Sequence, residues 1–136
     1  MNMNEIVVRE FLERVWNKGD VDAIPKYFHE SFRCDYGADA ILSRSYKDMV
    51  DAVQTVRTAF PDFHEKVLQT IVDENRVVVH LNITGTQQGL YRGSPPTGKK
   101  FEVWSIDIFE LSCGKITKQT GVMDFHGMFK QLGISN

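Results

Sequence analysis

The sequence predicts one α+β domain, in which N-terminal helices are followed by a long-stranded antiparallel sheet. Apolar residues recur at helical spacings of three and four up to Phe60, and from residue 63 to residue 123 they alternate with polar ones. A strongly curved sheet wrapped around helices forms a cone with an internal cavity, whose open end is a natural ligand pocket. With 136 residues, of which 42% are hydrophobic, the chain (1–136) can build a single core.

Two helices are predicted before residue 30. The first can be capped by Asn4 and ends near Gly19, which suits the left-handed conformation that closes many helices. A shorter helix covers residues 21–28, where Pro25 is tolerated in the first turn.

A short strand at 31–36 leads to a third helix, which Ser45 can cap and Pro61 stops. Turn residues then divide the alternating region into four strands. These strands cover residues 63–72, 76–87, 101–111 and 115–123. A last helix at 125–132 is closed by Gly133.

Composition excludes several functional classes. A formal net charge of -2 is unsuited to nucleic-acid binding, which needs clustered Lys and Arg. No apolar run reaches the roughly 20 residues that span a bilayer, and the first residues lack a signal-peptide pattern. Two cysteines are too few for a disulfide scaffold, and the histidines have no metal-ligand spacing. We therefore expect a cytoplasmic protein without metal, nucleic-acid or membrane partners.

Six short blocks, spread over nearly the whole chain, carry a family resemblance. They are residues 11–20 (FLERVWNKGD), 59–62 (AFPD), 85–89 (GTQQG), 96–99 (PTGK), 106–109 (IDIF) and 124–128 (DFHGM). In this order they resemble the SnoaL-like polyketide cyclases, also described as predicted ester cyclases, of the nuclear-transport-factor-like and ketosteroid-isomerase-like superfamily. The resemblance implies the α+β cone and a cofactor-free intramolecular aldol closure of a polyketide ester.

The resemblance also implies catalytic roles for two aspartates. Asp124 matches an aspartate at the end of the last strand that acts as general acid/base in the family, and Asp107 matches a second polar residue on the preceding long strand. One carboxyl group can remove a proton next to a carbonyl and return one to oxygen if an apolar wall raises its pKa. The alternatives are that Asp124 caps the last helix, and that Asp107 bonds to nearby backbone or faces a subunit interface.

Candidate substrate-binding residues come from aromatic and polar positions. His80 and Asn82 share a strand face and could bond to an enolate oxygen, although a strand histidine is more often satisfied or solvent-facing. Thr120 and Gln87 stand where the family commonly has an aromatic residue and a histidine, respectively, and both changes could alter the pocket. Five aromatic side chains could line the pocket of a flat aromatic ligand, although each could equally belong to the hydrophobic core. They are Trp16, Phe32, Tyr36, Phe60 and Trp104.

Strand 101–111 is apolar on both faces, so one face can serve the cavity while the other needs a cover. This pattern predicts a homodimer through the sheet face.

Two functions remain open. One is a cofactor-independent acid/base enzyme acting on a small hydrophobic carbonyl compound, by cyclisation, isomerisation or a water addition or dehydration. The other is a non-catalytic domain that binds a small ligand or supports association. A ligand pocket of about 300–1,000 Å³ is expected.

Overall fold

The structure is a computed structural model that describes residues 1–35 and 42–134. Helices and strands follow one another in an order close to the predicted one. The helices are α1 (Met3–Phe11), α2 (Ile24–Tyr27), α3 (Tyr46–Ala59) and α4 (Phe125–Leu132), with a π-helical segment (Leu12–Asn17) after α1 and a 3-10 turn (Val21–Ala23) before α2. The strands are β1 (Phe28–Asp35), β2 (Leu42–Ser43), β3 (His64–Asp73), β4 (Arg76–Thr86), β5 (Lys100–Ser112) and β6 (Lys115–Met123).

The strands form one six-stranded sheet in the order β2-β1-β6-β5-β4-β3, which confirms the α+β class. Neighbouring strands are antiparallel except for β1 and β6, which run parallel. The four predicted long strands, β3 to β6, are antiparallel to their neighbours as expected, and β1 joins them through a parallel pairing with β6. Register shifts interrupt the β1–β6, β3–β4 and β5–β6 ladders, and such bulges bend a strand and increase its twist.

The helices are capped by the predicted kinds of residue, but the cap of α1 lies two residues earlier than expected. Asn2 rather than Asn4 caps α1, because its Oδ1 accepts hydrogen bonds from the backbone N–H groups of Asn4 and Glu5 at 2.8 and 3.2 Å. Ser45 caps α3 through its Oγ, as predicted. The predicted helix at 21–28 is shorter, since β1 already begins at Phe28.

Alternation along the long strands decides which residues reach the interior. In β5 the odd-numbered residues from Phe101 to Leu111 are buried, whereas Trp104, Ile106 and Ile108 are exposed on the other face. The inner face of the sheet packs against Val8 and Phe11 of α1 and against apolar residues of α3 and α4, in one hydrophobic cluster. None of the helices within residues 1–35 and 42–134 is long and apolar enough to cross a membrane.

Candidate functional site

A cavity of about 70 Å³ lies between the inner face of the sheet, the π-helical segment, α3 and α4. Its volume is much smaller than the expected ligand pocket. Most of its wall is apolar, with Trp16, Phe63 and Phe125 among the lining residues. The polar side chains in this wall include Ser43, Glu65, Tyr91, Ser105, Asp107 and Gln119.

Asp107 lies in the middle of β5 and is 1% exposed. Ser105 is two residues earlier on the same face, and its Oγ donates a hydrogen bond of 2.6 Å to Asp107 Oδ1. On β6, Gln119 donates from Nε2 to Oδ2 at 3.4 Å. Gly121 is the residue opposite Asp107 in the β5–β6 register, so β6 contributes no side chain at this position. Two polar side chains from neighbouring strands therefore orient the buried Asp107 carboxyl group.

Glu65, near the start of β3, is a second buried carboxyl group in the cavity and is 8% exposed. Burial raises the pKa of Glu65 well above its usual value, and the negative charge of Asp107 raises it further. A carboxyl group with a raised pKa keeps its proton and can donate a hydrogen bond. The cavity thus contains two interacting carboxyl groups, of which Glu65 holds a proton more tightly than an exposed glutamate.

Asn17 fixes the backbone from which the Glu65 side chain extends. Its Oδ1 accepts the Glu65 N–H at 2.7 Å, and its Nδ2 donates to the Glu65 carbonyl oxygen at 3.0 Å. Because β3 is an edge strand, these two bonds replace those that a neighbouring strand would make. Asn17 ends the π-helical segment, and π-helical turns inside helices often occur at functional sites.

Cys34 also lines the cavity. Burial, followed by the charges of Asp107 and Asp35, raises the pKa of the Cys34 thiol to about 12. The thiol is therefore neutral at physiological pH and unsuited to act as a nucleophile. Both Cys34 and Cys113 are free. Within the described ranges, no three His, Cys, Asp or Glu side chains are grouped so that they could hold a metal ion.

Asp124 is exposed at the N-terminus of α4, outside the cavity wall. Its Oδ1 accepts the Gly127 N–H at 2.8 Å, which is the bond of a helix N-cap. Its neighbours Met123 and Phe125 line the cavity instead. This geometry supports the capping alternative. A catalytic Asp124 stays a prediction, and Asp107 is the better-placed carboxyl group.

The predicted substrate-binding aromatic residues have different locations. Trp16 lines the cavity. Phe32 is buried in the core, with its ring centroid 4.8 Å from that of Phe28, and Phe60 is buried with its centroid 5.2 Å from that of Phe101. Neither contributes to the cavity wall. Tyr36 lies outside the described residues.

Four other predicted binding residues require a correction. His80, Asn82, Trp104 and Thr120 lie on the outer face of the sheet, because they occupy the strand positions that alternate with the buried ones. The His80 ring meets the Trp104 ring edge-on at 4.8 Å, and Asn82 donates a 2.8 Å hydrogen bond to Glu102. These side chains do not line the cavity.

Gln87, which stands where the family commonly has a histidine, organises a loop. It is fully buried, and its Nε2 donates to the carbonyl oxygens of Gly89, Ser94 and Pro95 while its Oε1 accepts from Thr97. Its side chain is absent from the cavity wall formed by residues 1–35 and 42–134. The departure from the family pattern at this position therefore affects the loop before β5.

Sequence reasoning missed Glu65, Ser105, Gln119 and Asn17. The first three share a recognisable signal, since each is a polar residue at a strand position that the alternation assigns to the core. Asn17 carried no such signal, because its partner Glu65 is distant in the chain.

Comparisons with known proteins identify the family. A family model described as "SnoaL-like polyketide cyclase" matches residues 6–132. The chain belongs to this family. No curated protein matches the sequence.

Three solved structures illustrate how similar this chain is in fold to other proteins. TsrD from Streptomyces laurentii is 25% identical, with a TM-score of 0.85 over 98% of this chain and 96% of TsrD. AclR from Streptomyces galilaeus, provisionally named a hydroxylase, is also 25% identical, with a TM-score of 0.82 over 96% of this chain and 95% of AclR. A SnoaL-like polyketide cyclase from Agrobacterium tumefaciens is 16% identical, with a TM-score of 0.79 over 98% of this chain and all of the other, and supports the fold alone. The family match therefore includes all of the residues that line the cavity described above.

Proposed function

We propose that this SnoaL-like protein is an acid/base enzyme acting on a small hydrophobic carbonyl compound, with Asp107 as general base and Glu65 as general acid. One observation carries the proposal: two interacting carboxyl groups are buried in the same apolar cavity, and the pKa of Glu65 is raised. Pairs of carboxyl groups whose environments differ in this way commonly divide the acid and base roles.

The proposed reaction begins with proton transfer from the carbon next to the carbonyl group to Asp107. The electron pair of the broken C–H bond forms the enol double bond, and the carbonyl oxygen takes the proton that Glu65 releases. In cyclisation the enol carbon bonds to the carbon of a second carbonyl, whose oxygen takes the π electron pair and the proton held by Asp107, while the enol O–H returns its proton to Glu65 and the first carbonyl is restored. In isomerisation Asp107 delivers its proton to another carbon of a conjugated enol, and the enol O–H again returns its proton to Glu65. Positioned acid/base groups typically contribute about 10²–10⁴-fold in rate.

The hydrogen bonds to Asp107 support its role as the base. Ser105 and Gln119 both donate to its carboxyl oxygens, and donors of this kind stabilise the ionised form. They also fix the plane of the carboxyl group relative to the cavity. Membership in the polyketide cyclase family supports cyclisation, while the hydroxylase name of AclR marks a different reaction for a similar fold.

Exchange of carbon-bound protons tests the first step without knowledge of the substrate. We would incubate 1-indanone and 2-tetralone with the protein in D₂O and follow the loss of their α-proton signals by NMR. Asp107→Asn should reduce the catalysed exchange rate by about 10²-fold or more. Asp124→Asn is the matched control and should retain the rate. Loss of exchange in Asp124→Asn with retention in Asp107→Asn would return the catalytic role to Asp124.

The alternative function is a non-catalytic domain that binds a small ligand. The small volume of the cavity, about 70 Å³, leaves no room to enclose a whole drug-sized substrate, and so favours a domain without turnover, including one that only supports association. Binding of 2-tetralone, seen as chemical-shift changes, without any exchange above the buffer rate would support it. Equal exchange by the wild type and Asp107→Asn would also contradict the enzymatic proposal.

We also propose a homodimer through the outer face of the sheet. This face exposes a contiguous set of apolar side chains from neighbouring strands, where Trp104 is 63% and Val122 75% exposed. In the β5–β6 register Val122 lies opposite Ile106, so these residues form one surface. A second copy would cover the same patch by two-fold symmetry, as is usual in homodimers.

Light scattering at micromolar concentration tests the dimer. The expected mass is twice the 15.6 kDa of one chain, and Ile106→Glu should return the mass of a monomer. Thr117→Glu, at a half-buried position of β6 away from the apolar patch, is the charge-matched control. A wild-type mass near that of one chain would exclude this dimer.

A further inference from the structure

The cavity adjoins a larger surface groove on the side of α3. This outer groove has a volume of about 410 Å³ and is lined by Ser43, Asp48, Asp51, Ala52, Thr55, Val56, Tyr91 and Arg92. Ser43, Ala52, Val56 and Tyr91 also line the cavity, so these four residues border both spaces. The cavity alone has room for only a fragment of a small molecule, whereas the outer groove lies within the range of about 300–1,000 Å³ typical of ligand sites. A substrate whose reacting carbon reaches Asp107 must therefore leave its remainder in the outer groove.

Arg92 lies where the outer groove meets the cavity. Its guanidinium carbon is 5.0 Å from the ring centroid of Phe129, 5.5 Å from that of Phe125 and 5.8 Å from that of Tyr91. Phe125 and Tyr91 also form part of the cavity wall. Contacts with rings engage the face of a guanidinium group, and the Tyr91 hydroxyl engages only part of its edge, so the remaining N–H donors are left for another partner. The aromatic rings thus hold a cation at the mouth of the cavity.

The backbone conformation at Arg92 does not account for an arginine there. Arg92 and Gly93 have φ values of 49° and 77°, and they lie between Tyr91 and Ser94, whose backbone groups bond to each other at 2.8 and 3.0 Å. A turn with two positive φ values favours Asn, Asp or Gly at both central positions. Arginine is an uncommon choice at such a φ, which points to a role for its side chain.

Arg92 also stands apart from the acidic residues of the outer groove. Asp51 pairs with Lys47 at 2.7 Å, and Asp48 accepts the backbone N–H of Arg44 at 3.1 Å. Arg92 forms no ion pair with any carboxylate in the described part of the chain. Its charge is therefore available to a ligand in the outer groove.

We propose that Arg92 binds a carboxylate on the substrate, at the end opposite the carbonyl group that reacts beside Asp107. The substrate class is then a keto acid with an apolar middle, whose carbonyl end enters the cavity and whose carboxylate stays at its mouth. Guanidinium and carboxylate groups form two parallel hydrogen bonds, which fix the orientation as well as the charge. The inference rests on the proposed function, because that function determines which end of the substrate enters the cavity.

A matched pair of probes tests this role. We would measure the dissociation constants of 4-oxo-4-phenylbutanoate and of its neutral primary amide by NMR titration, for the wild type, Arg92→Gln and Arg92→Met. The wild type should bind the acid about tenfold more tightly than the amide, since a charge-assisted pair is stronger than a neutral one. Both variants should bind the two probes equally. Lys130→Gln removes an exposed cation from the helix that carries Phe125 and Phe129, and should keep the preference for the acid.

Two further results separate this inference from the proposed chemistry. Asp107→Asn should keep the preference for the acid even where it abolishes proton exchange. Raising the salt concentration from 50 to 500 mM should weaken binding of the acid but not of the amide, because the groove is open to solvent. Equal affinities in the wild type, no measurable binding of the acid, or an unchanged preference in both Arg92 variants would overturn the assignment.

Discussion

Glu65 makes the stability of the folded protein depend on pH in an unusual direction. The pKa of its side chain is raised from an ordinary value of 4.5 by burial and by the charge of Asp107. Between the ordinary pKa and the raised one, the folded protein holds one proton that the unfolded chain has released. The free energy of unfolding therefore falls as pH rises through this interval, by about 1.4 kcal/mol per pH unit. This contribution is fully present below the ordinary pKa and is lost once the pH exceeds the raised one.

The variant Glu65→Gln removes this titration while keeping nearly the same side-chain shape. We would measure urea unfolding from pH 4.5 to pH 8 for the wild type, for Glu65→Gln and for Glu30→Gln, a control at an exposed site. The free energy of unfolding of Glu65→Gln should rise relative to the wild type, by about 1.4 kcal/mol per pH unit until the raised pKa is passed. If the difference in free energy of unfolding between Glu65→Gln and the wild type did not change with pH, Glu65 would not hold a proton in the folded protein.

Two further predictions concern hydrogen bonds beside the site. Asn17→Ala removes both bonds to the Glu65 backbone and should lower the free energy of unfolding by about 1–3 kcal/mol in urea titrations, and a loss below about 0.3 kcal/mol would contradict the role given to Asn17. Asp124→Ala removes the N-cap bond to Gly127 and should cost about 1 kcal/mol by the same measurement, whereas Asp124→Asn should retain most of it. Equal losses in the two Asp124 variants would argue against capping.

Local chemistry made much of the fold predictable. The limits of β6 and α4 agree with the predicted segments 115–123 and 125–132, and Gly133 has the left-handed φ of 72° expected after a helix. The alternation predicted from residue 63 to residue 123 also holds along β5, because side-chain alternation is a local property of a strand. Ser45 as a cap depends only on residues within one helical turn.

The site was less predictable because its residues meet through tertiary structure. Alternation shows that Asp107 and Trp104 lie on opposite faces of β5, but it does not show which polar position faces a cavity. The parallel pairing of β1 with β6 joins segments that are far apart in sequence, and it brings Cys34 into the cavity wall. Glu65 lines the same cavity from β3, the edge strand of the sheet, where Asn17 bonds to its backbone. This contact joins residues that are distant in sequence.

The β1–β6 pairing also has a consequence for biosynthesis. During translation, β1 leaves the ribosome long before β6, and Phe28 must wait for its register partner Ile116. Contacts between such distant segments form slowly, because a long loop has to close first. The helices and the β3–β4 hairpin can form earlier, since their contacts are local. Because β6 lies between β1 and β5 in the sheet, we expect the burial of Cys34 and Asp107 to be completed only after this last strand is made.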